Sequence, residues 1–228
     1  MIWLDNAATT LRKPPAVSAA VSAAVRELAD PGRGGHVPAQ RAAETAFACR
    51  EAAARLFHVP QPEQVVFTMN ATHRLNIALK SLARPGSRVV VSGCEHNAVL
   101  RPLTAVGAAV EVAASPLFDR EAALAVFSEK LTEETSLCVV NAVSNVFGFA
   151  LPLEKLAALC RARGVPLIVD ASQAAGSLPL DFAALGAAFM AMPGHKGLYG
   201  PQGTGLLLCA EPGRTLLEGA AAVTPLIP

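Results

Sequence analysis

The 228-residue sequence has almost no net charge: 19 Lys and Arg stand against 18 Asp and Glu, a balance of +1. No broad field draws it to nucleic acid or to an anionic membrane. No unbroken apolar run approaches the roughly 18–20 residues of a membrane span. The start, MIWLDNAATT, puts Asp5 where a signal peptide needs its apolar core, so no export signal is read. The cysteines (Cys49, Cys94, Cys138, Cys160 and Cys209) are scattered and include no C-x-x-C pair, which argues against a zinc site or a disulfide framework. Cys138 and Cys209 stand in apolar, strand-like runs and read as small core residues. There is no internal repeat, and no low-complexity tract beyond alanine richness. These absences leave a soluble, cytoplasmic protein without nucleic-acid or membrane partners as the expectation.

Apolar residues make up 52% of the chain, much of it alanine, which favours helices packed closely on something flat. Val17, Val21, Val25 and Leu28 recur at helical spacing, and Asp30-Pro31-Gly32 stops that helix. A Gly- and Pro-bearing loop, PGRGGHVP, follows. Further helices are predicted over 42–57, 72–82, 100–106, 121–131, 153–163 and 181–185. Strands are predicted over 64–68, 88–93, 108–114, 135–144, 165–172, 187–192 and 203–209. Continuous apolar strands alternating with helices predict an α/β fold, with a mostly parallel seven-stranded sheet covered on both faces. The last two strands are joined by a short glycine loop, so one of them is expected to run antiparallel.

Ligands of open α/β sheets sit beyond the carboxyl ends of the strands. Here those ends carry Asn70-Ala71-Thr72, Glu95-His96-Asn97, Ser144-Asn145, Asp170-Ala171-Ser172-Gln173 and His195-Lys196. In TMNATHRLN, the amides of Ala71, Thr72 and His73 with the Thr72 hydroxyl suit a phosphate at a helix N-terminus. The plainer alternative is that Asn70 or Thr72 only caps the helix. In VDASQ, Asp170 ends a very apolar strand and needs a cation or donors, such as a protonated cofactor ring nitrogen, unless it caps the next turn. Gln173 could donate to a phenolate oxygen or face solvent. His96 could stack on an aromatic ring or be a loop histidine. Asn145 could bond a ring hydroxyl or form an Asx turn before Gly148. Lys196, set among glycines in PGHKGLYGPQGTG, suits a Schiff base with an aldehyde cofactor, the glycines letting backbone approach it closely. A phosphate-binding lysine is the alternative, but the loop is not G-x-x-x-x-G-K-[ST].

Taken together, LDNAATT, FTMNATHRLN, CEHNAVLRPL, NAVSNVFG, IVDASQAAG and MPGHKGLYGPQGTG resemble the class V aminotransferase-fold enzymes that depend on pyridoxal 5'-phosphate (PLP), in the cysteine desulfurase branch. The resemblance implies a fold type I, three-layer α/β/α large domain over 31–212, an N-terminal segment and helix over 1–30, and over 213–228 the start of a connection to a small domain. It implies that Lys196 forms the Schiff base with PLP and shuttles protons. It implies that Asp170 pairs with the ring nitrogen, His96 stacks on the ring, Gln173 and Asn145 address its phenolic oxygen, and Ala71, Thr72 and His195 hold the phosphate. The implied reaction takes sulfur from L-cysteine and leaves L-alanine, in a homodimer that passes sulfur to an acceptor protein.

Three departures stand out. His73 replaces the family's usual glutamate. Pro193 replaces a Ser or Thr that donates to the phosphate, a loss of about 1–2 kcal/mol of cofactor affinity. Relatives run to nearly twice this length, and their small domain brings the substrate-clamping arginine and the nucleophilic loop cysteine, whose place no cysteine here occupies. The expectation is therefore a C-terminally truncated desulfurase-like enzyme with impaired activity. The alternatives are a non-catalytic PLP-binding, dimerising remnant, a selenocysteine lyase or other class V enzyme, and, from the glycine loop alone, a nucleotide-binding module.

Overall fold

The computed structural model describes residues 2–32, 34–211 and 213–214. Apart from residues 213 and 214, the expected connection over 213–228 lies outside the described residues. The elements follow the alternation read from the sequence: α1 (Pro15–Glu27), α2 (Val37–Phe57), β1 (Val65–Thr68), α3 (Ala71–Leu82), β2 (Arg88–Val91), α4 (Asn97–Val106), β3 (Ala109–Val112), α5 (Arg120–Lys130), β4 (Thr135–Asn141), α6 (Leu153–Ala162), β5 (Leu167–Asp170), α7 (Phe182–Leu185), β6 (Phe189–Pro193) and β7 (Gly205–Cys209). The strands form a seven-stranded sheet in the order β1-β7-β6-β5-β4-β2-β3. Only β7 runs against its neighbours, antiparallel to both β1 and β6. The other pairings are parallel.

Strand residues alternate between two apolar cores, because successive side chains point to opposite faces. Val90, Cys138, Val140, Val169, Met190 and Leu208 meet α2, α5, α6 and α7 through Phe57, Phe127, Leu156, Cys160 and Phe182. Val89, Val91, Val139, Ile168, Phe189 and Leu207 meet α3 and α4 through Leu75, Leu79, Val99 and Leu103. Each fully buried large apolar side chain contributes about 1.5–3 kcal/mol relative to exposure. The small residues Ala53, Ala54, Ala123 and Ala157 let helices lie close on the sheet. Cys138 and Cys209 are buried, as read from their runs.

The boundaries differ from the periodicity in instructive places. α2 begins at Val37, five residues early, with His36 as its N-cap accepting from the Ala39 amide and Pro38 in its first turn, where proline's missing N–H costs nothing. α4 begins at Asn97 and carries Pro102 inside it. β2, β4 and β5 stop two or three residues short of the expected ends. Their last polar residues belong to loops instead, and Gly93, at φ 85°, ends the extended run after β2.

The glycines near Lys196 have a task beyond leaving room for a ligand. A Cβ on Gly197 would overlap the Ala175 carbonyl oxygen, and one on Gly176 would overlap the Gly197 carbonyl. The loops after β5 and β6 therefore touch backbone to backbone. The β6–β7 loop also folds on itself, with Gly194 donating to the Thr204 carbonyl and Gly200 donating to the Gly194 carbonyl. Gly197→Ala is expected to cost about 1–3 kcal/mol of stability in a urea melt. Gly35→Ala, at an open position with no close neighbour, should stay within about 0.5 kcal/mol. Equal midpoints for the two variants would refute the close contact.

Candidate active site

A cavity of about 300 Å³ opens beyond the carboxyl ends of the parallel strands, lined by Asp5, Ala7, Ala8, His96, Asn141, Val143, Asn145, Asp170, Ser172, Gln173 and Lys196. Five of the residues singled out from the sequence thus share one space: His96, Asn145, Asp170, Gln173 and Lys196. Thr72 lies next door, in a groove that also includes His96, Asn76 and Arg101. His195 lines neither the cavity nor that groove.

Asp170 closes β5, is 5% exposed, and accepts from the Ser172 amide at 2.9 Å. The buried Ser172 hydroxyl beside it has no hydrogen-bond partner. Burial pushes Lys196 below the ordinary lysine range. Asp170 pulls it back up, and the Arg74 guanidinium pushes it further down. A lysine so placed holds more of its amine in the neutral, nucleophilic form than a surface lysine does.

The N-terminal segment straps this loop in place. The Thr10 amide donates to the His195 carbonyl at 3.0 Å, and the Thr10 hydroxyl to the Lys196 carbonyl at 2.9 Å. The Thr9 hydroxyl donates to the His195 carbonyl at 3.2 Å and sits 3.0 Å from His195 Nδ1. With its one proton on the carbonyl, Thr9 must accept from Nδ1, which leaves Nε2 as the unprotonated nitrogen. Burial lowers the His195 pKa, and the cations Lys196, Arg74 and Lys13 lower it further, which favours the neutral ring. Gln173 Nε2 donates to the Ala7 carbonyl at 3.2 Å, so it too ties down the strap.

The other loops show which of the plainer alternatives operate. Asn70 does cap α3, its Oδ1 accepting from the His73 amide at 2.8 Å. That amide is therefore engaged, and the Ala71 and Thr72 amides remain in the helix's first turn. His96 caps α4 through Nδ1, which accepts from the Ala98 amide at 3.1 Å while the ring lines the cavity. The turn before Gly148 is made by Ser144, whose hydroxyl accepts from the Val146 and Phe147 amides, and not by Asn145.

Two residues were not singled out as site residues. Asn141 ends the apolar run of β4 and donates from Nδ2 to the Cys94 carbonyl at 2.5 Å. Glu95 accepts from the Ser92 hydroxyl at 2.6 Å and the Gly93 amide at 2.8 Å, which pins the loop that presents His96. Burial raises the Glu95 pKa in spite of those bonds. A polar residue closing an apolar strand was the available signal for Asn141. Among the described residues, no cluster of His, Cys, Asp and Glu could hold a metal ion, and no helix is long and apolar enough to cross a membrane.

Residues 2–220 match the aminotransferase class-V family. The mitochondrial cysteine desulfurase of Drosophila melanogaster is 33% identical over 227 residues, covering 95% of this chain and 48% of the fly protein. The apo structure of a cysteine desulfurase from Thermococcus onnurineus NA1 superposes with a TM-score of 0.83 at 30% identity, covering 92% of this chain and 54% of that one. A mutant of the C-DES protein, with glycine covalently linked to its PLP cofactor, superposes with a TM-score of 0.78 at 26% identity, covering 90% and 55%. The chain thus spans about half the length of each. With the family match running over nearly its whole length, this chain belongs to the aminotransferase class-V family.

Proposed function

We propose that this chain binds PLP through Lys196 and serves cysteine desulfurase chemistry, taking sulfur from L-cysteine and leaving L-alanine. The observation that carries the reading is one cavity holding a partly desolvated lysine, a buried carboxylate and a rim histidine at neighbouring strand ends. The donor set fits PLP. Lys196 supplies an amine for its aldehyde, Asp170 a carboxylate for its ring nitrogen, and the partnerless Ser172 hydroxyl a free hydrogen-bonding group in the wall. When bound, PLP supplies an electron sink for negative charge on the carbon beside a substrate amine.

The residues divide the work around it. Asp170 favours positive charge on the ring nitrogen. His96 covers a ring face. Gln173 and Asn145 address the phenolic oxygen, Gln173 giving up its bond to Ala7. The first-turn amides of α3 at Ala71 and Thr72 hold the phosphate with His195, whose unprotonated Nε2 must gain a proton to donate. Lys196 would carry the proton to and from the substrate carbon at its Nζ. A second copy of the chain and a sulfur-accepting protein belong to the same reading. The wholly unburied helix α1, with Val21 and Val25 exposed, supports a covering partner.

Titration with PLP is expected to give a yellow, gel-filtration-stable complex, and Lys196→Ala is expected to stay colourless. A colourless wild type would sink the cofactor reading. With L-cysteine, Asp170→Asn is expected to keep PLP but to form alanine about 10²-fold more slowly, a loss of about 2.7 kcal/mol of transition-state stabilisation. An unchanged rate would remove Asp170 from the chemistry. If L-selenocysteine alone is consumed, the desulfurase assignment gives way to a lyase.

A further inference from the structure

Arg74 is the one fully buried cation at 0% exposure among the described residues, and it enters the site above only through its charge on Lys196 and His195. It lies in the first turns of α3, next to Leu75 on the face that packs against the sheet. Nη1 donates to the Thr68 hydroxyl at 3.2 Å, while Nε and Nη2 have no hydrogen-bond partner. A Cβ on Gly205 would overlap Nη1, so the guanidinium occupies the space a side chain at 205 would need. Burying a cation with two donors unmet costs several kcal/mol.

The strand register shows what lies beside it. Thr68 pairs with Gly205, and Gly205 pairs with Pro193. One step down the ladder, Ala191 of β6 pairs with Asp170 of β5. Asp170 is two residues beyond Ile168, and Gly205 two before Leu207, so both sit on the α3 face of the sheet. The guanidinium therefore lies over the strand ends that carry Asp170 and lead into Lys196. Burial lowers the Arg74 pKa to about 10, with Asp170 acting to raise it, so it remains a cation at neutral pH.

We propose that Arg74 is a positioning residue for Lys196: its fixed buried charge, set over the strand ends that carry Asp170 and lead into Lys196, opposes the pull of Asp170 and enlarges the share of Lys196 present as the neutral amine that adds to a carbonyl. This rests on the reading of Lys196 as the aldehyde-accepting lysine. The step is a condensation in which the Nζ lone pair attacks the aldehyde carbon, a carbon–nitrogen double bond replaces the carbonyl and water leaves, with no change of oxidation state. The charged and titratable groups facing Lys196 come from several elements. Asp170 ends β5, Arg74 comes from α3, His195 precedes the lysine, His96 caps α4, Asp5 lies on the N-terminal segment, and Lys13 stands close to His195. Of these, Asp170 favours the ammonium form of Lys196 and Arg74 opposes it.

The test is competitive labelling of the cofactor-free chain with limiting acetic anhydride across pH, read at Lys196 by mass spectrometry. The same lysine in the urea-unfolded chain is the reference. The wild-type labelling midpoint is expected below that reference. Arg74→Lys, which retains the charge, should keep it there. In Arg74→Met the midpoint should rise, and labelling at neutral pH should slow by about tenfold. An unchanged profile in Arg74→Met overturns the proposal, and so does an Arg74→Lys profile shifted as far as that of Arg74→Met. If Arg74→Met does not fold by circular dichroism, Arg74→Gln supplies the neutral side chain with a donor for Thr68. A wild-type midpoint at or above the reference refutes the proposal without any variant. PLP uptake is read separately by absorbance, so a chain that stays colourless yet labels as expected loses the cofactor reading and keeps this one.

Discussion

The contact on which the site depends is the seating of two loops against each other, backbone on backbone, where Gly176 and Gly197 meet across the Ala175 carbonyl. Asp170 belongs to one loop and Lys196 to the other. The nearest atoms at the crossing are backbone, with the short Ser177 side chain beside them, so little there can flex to absorb an error. Each is anchored by a strand of the same parallel pair, so the carboxylate and the amine are held in register by the sheet itself. Close backbone approach thus becomes a means of setting the distance between two charges.

Those charges form a small electrostatic system rather than separate residues. Asp170 acts on both Lys196 and Arg74, and Arg74 acts on Lys196 and His195. Arg74 and Asp170 are buried and Lys196 and His195 partly so, which makes their mutual influence stronger than at a surface. Most of the α3 face of the sheet is apolar, built of Val, Leu, Ile, Phe and Ala. The buried charges Asp170 and Arg74 stand together at the strand ends that lead into the site.

Much of this was legible in the sequence, because alternation and apolar runs report which residues face a core. The seven strands, their mostly parallel arrangement and the reversal at the last hairpin followed from local patterns. So did the convergence of His96, Asn145, Asp170, Gln173 and Lys196, since strand ends in such a sheet point one way. Other features rest on contacts that no local window contains. Thr9 and Thr10 bond to residues 186 positions away. His195 looked available for a ligand, yet its Nδ1 faces Thr9. Asn145 was the candidate for the turn before Gly148, and only geometry showed that the neighbouring Ser144 makes it. Arg74 was not singled out from the sequence. Its neighbours Leu75, Ala78 and Leu79 place it on the buried face, and that charged residue on an apolar stripe was the signal available.

The position of β7 has a consequence for how such a chain comes into being. It is the last of the described strands in chain order, yet it is inserted between β6 and β1, and among the described residues it is the only partner β1 has. A chain emerging from the ribosome can assemble β2 through β6 in order, but β1 must wait for residues 205–209 before it gains an edge to pair with. The N-terminal strap waits as well, because its anchors are the carbonyls of residues 195 and 196. The site thus waits for residues 195–209, and until they are in place β1 is an unpaired edge open to the wrong neighbour.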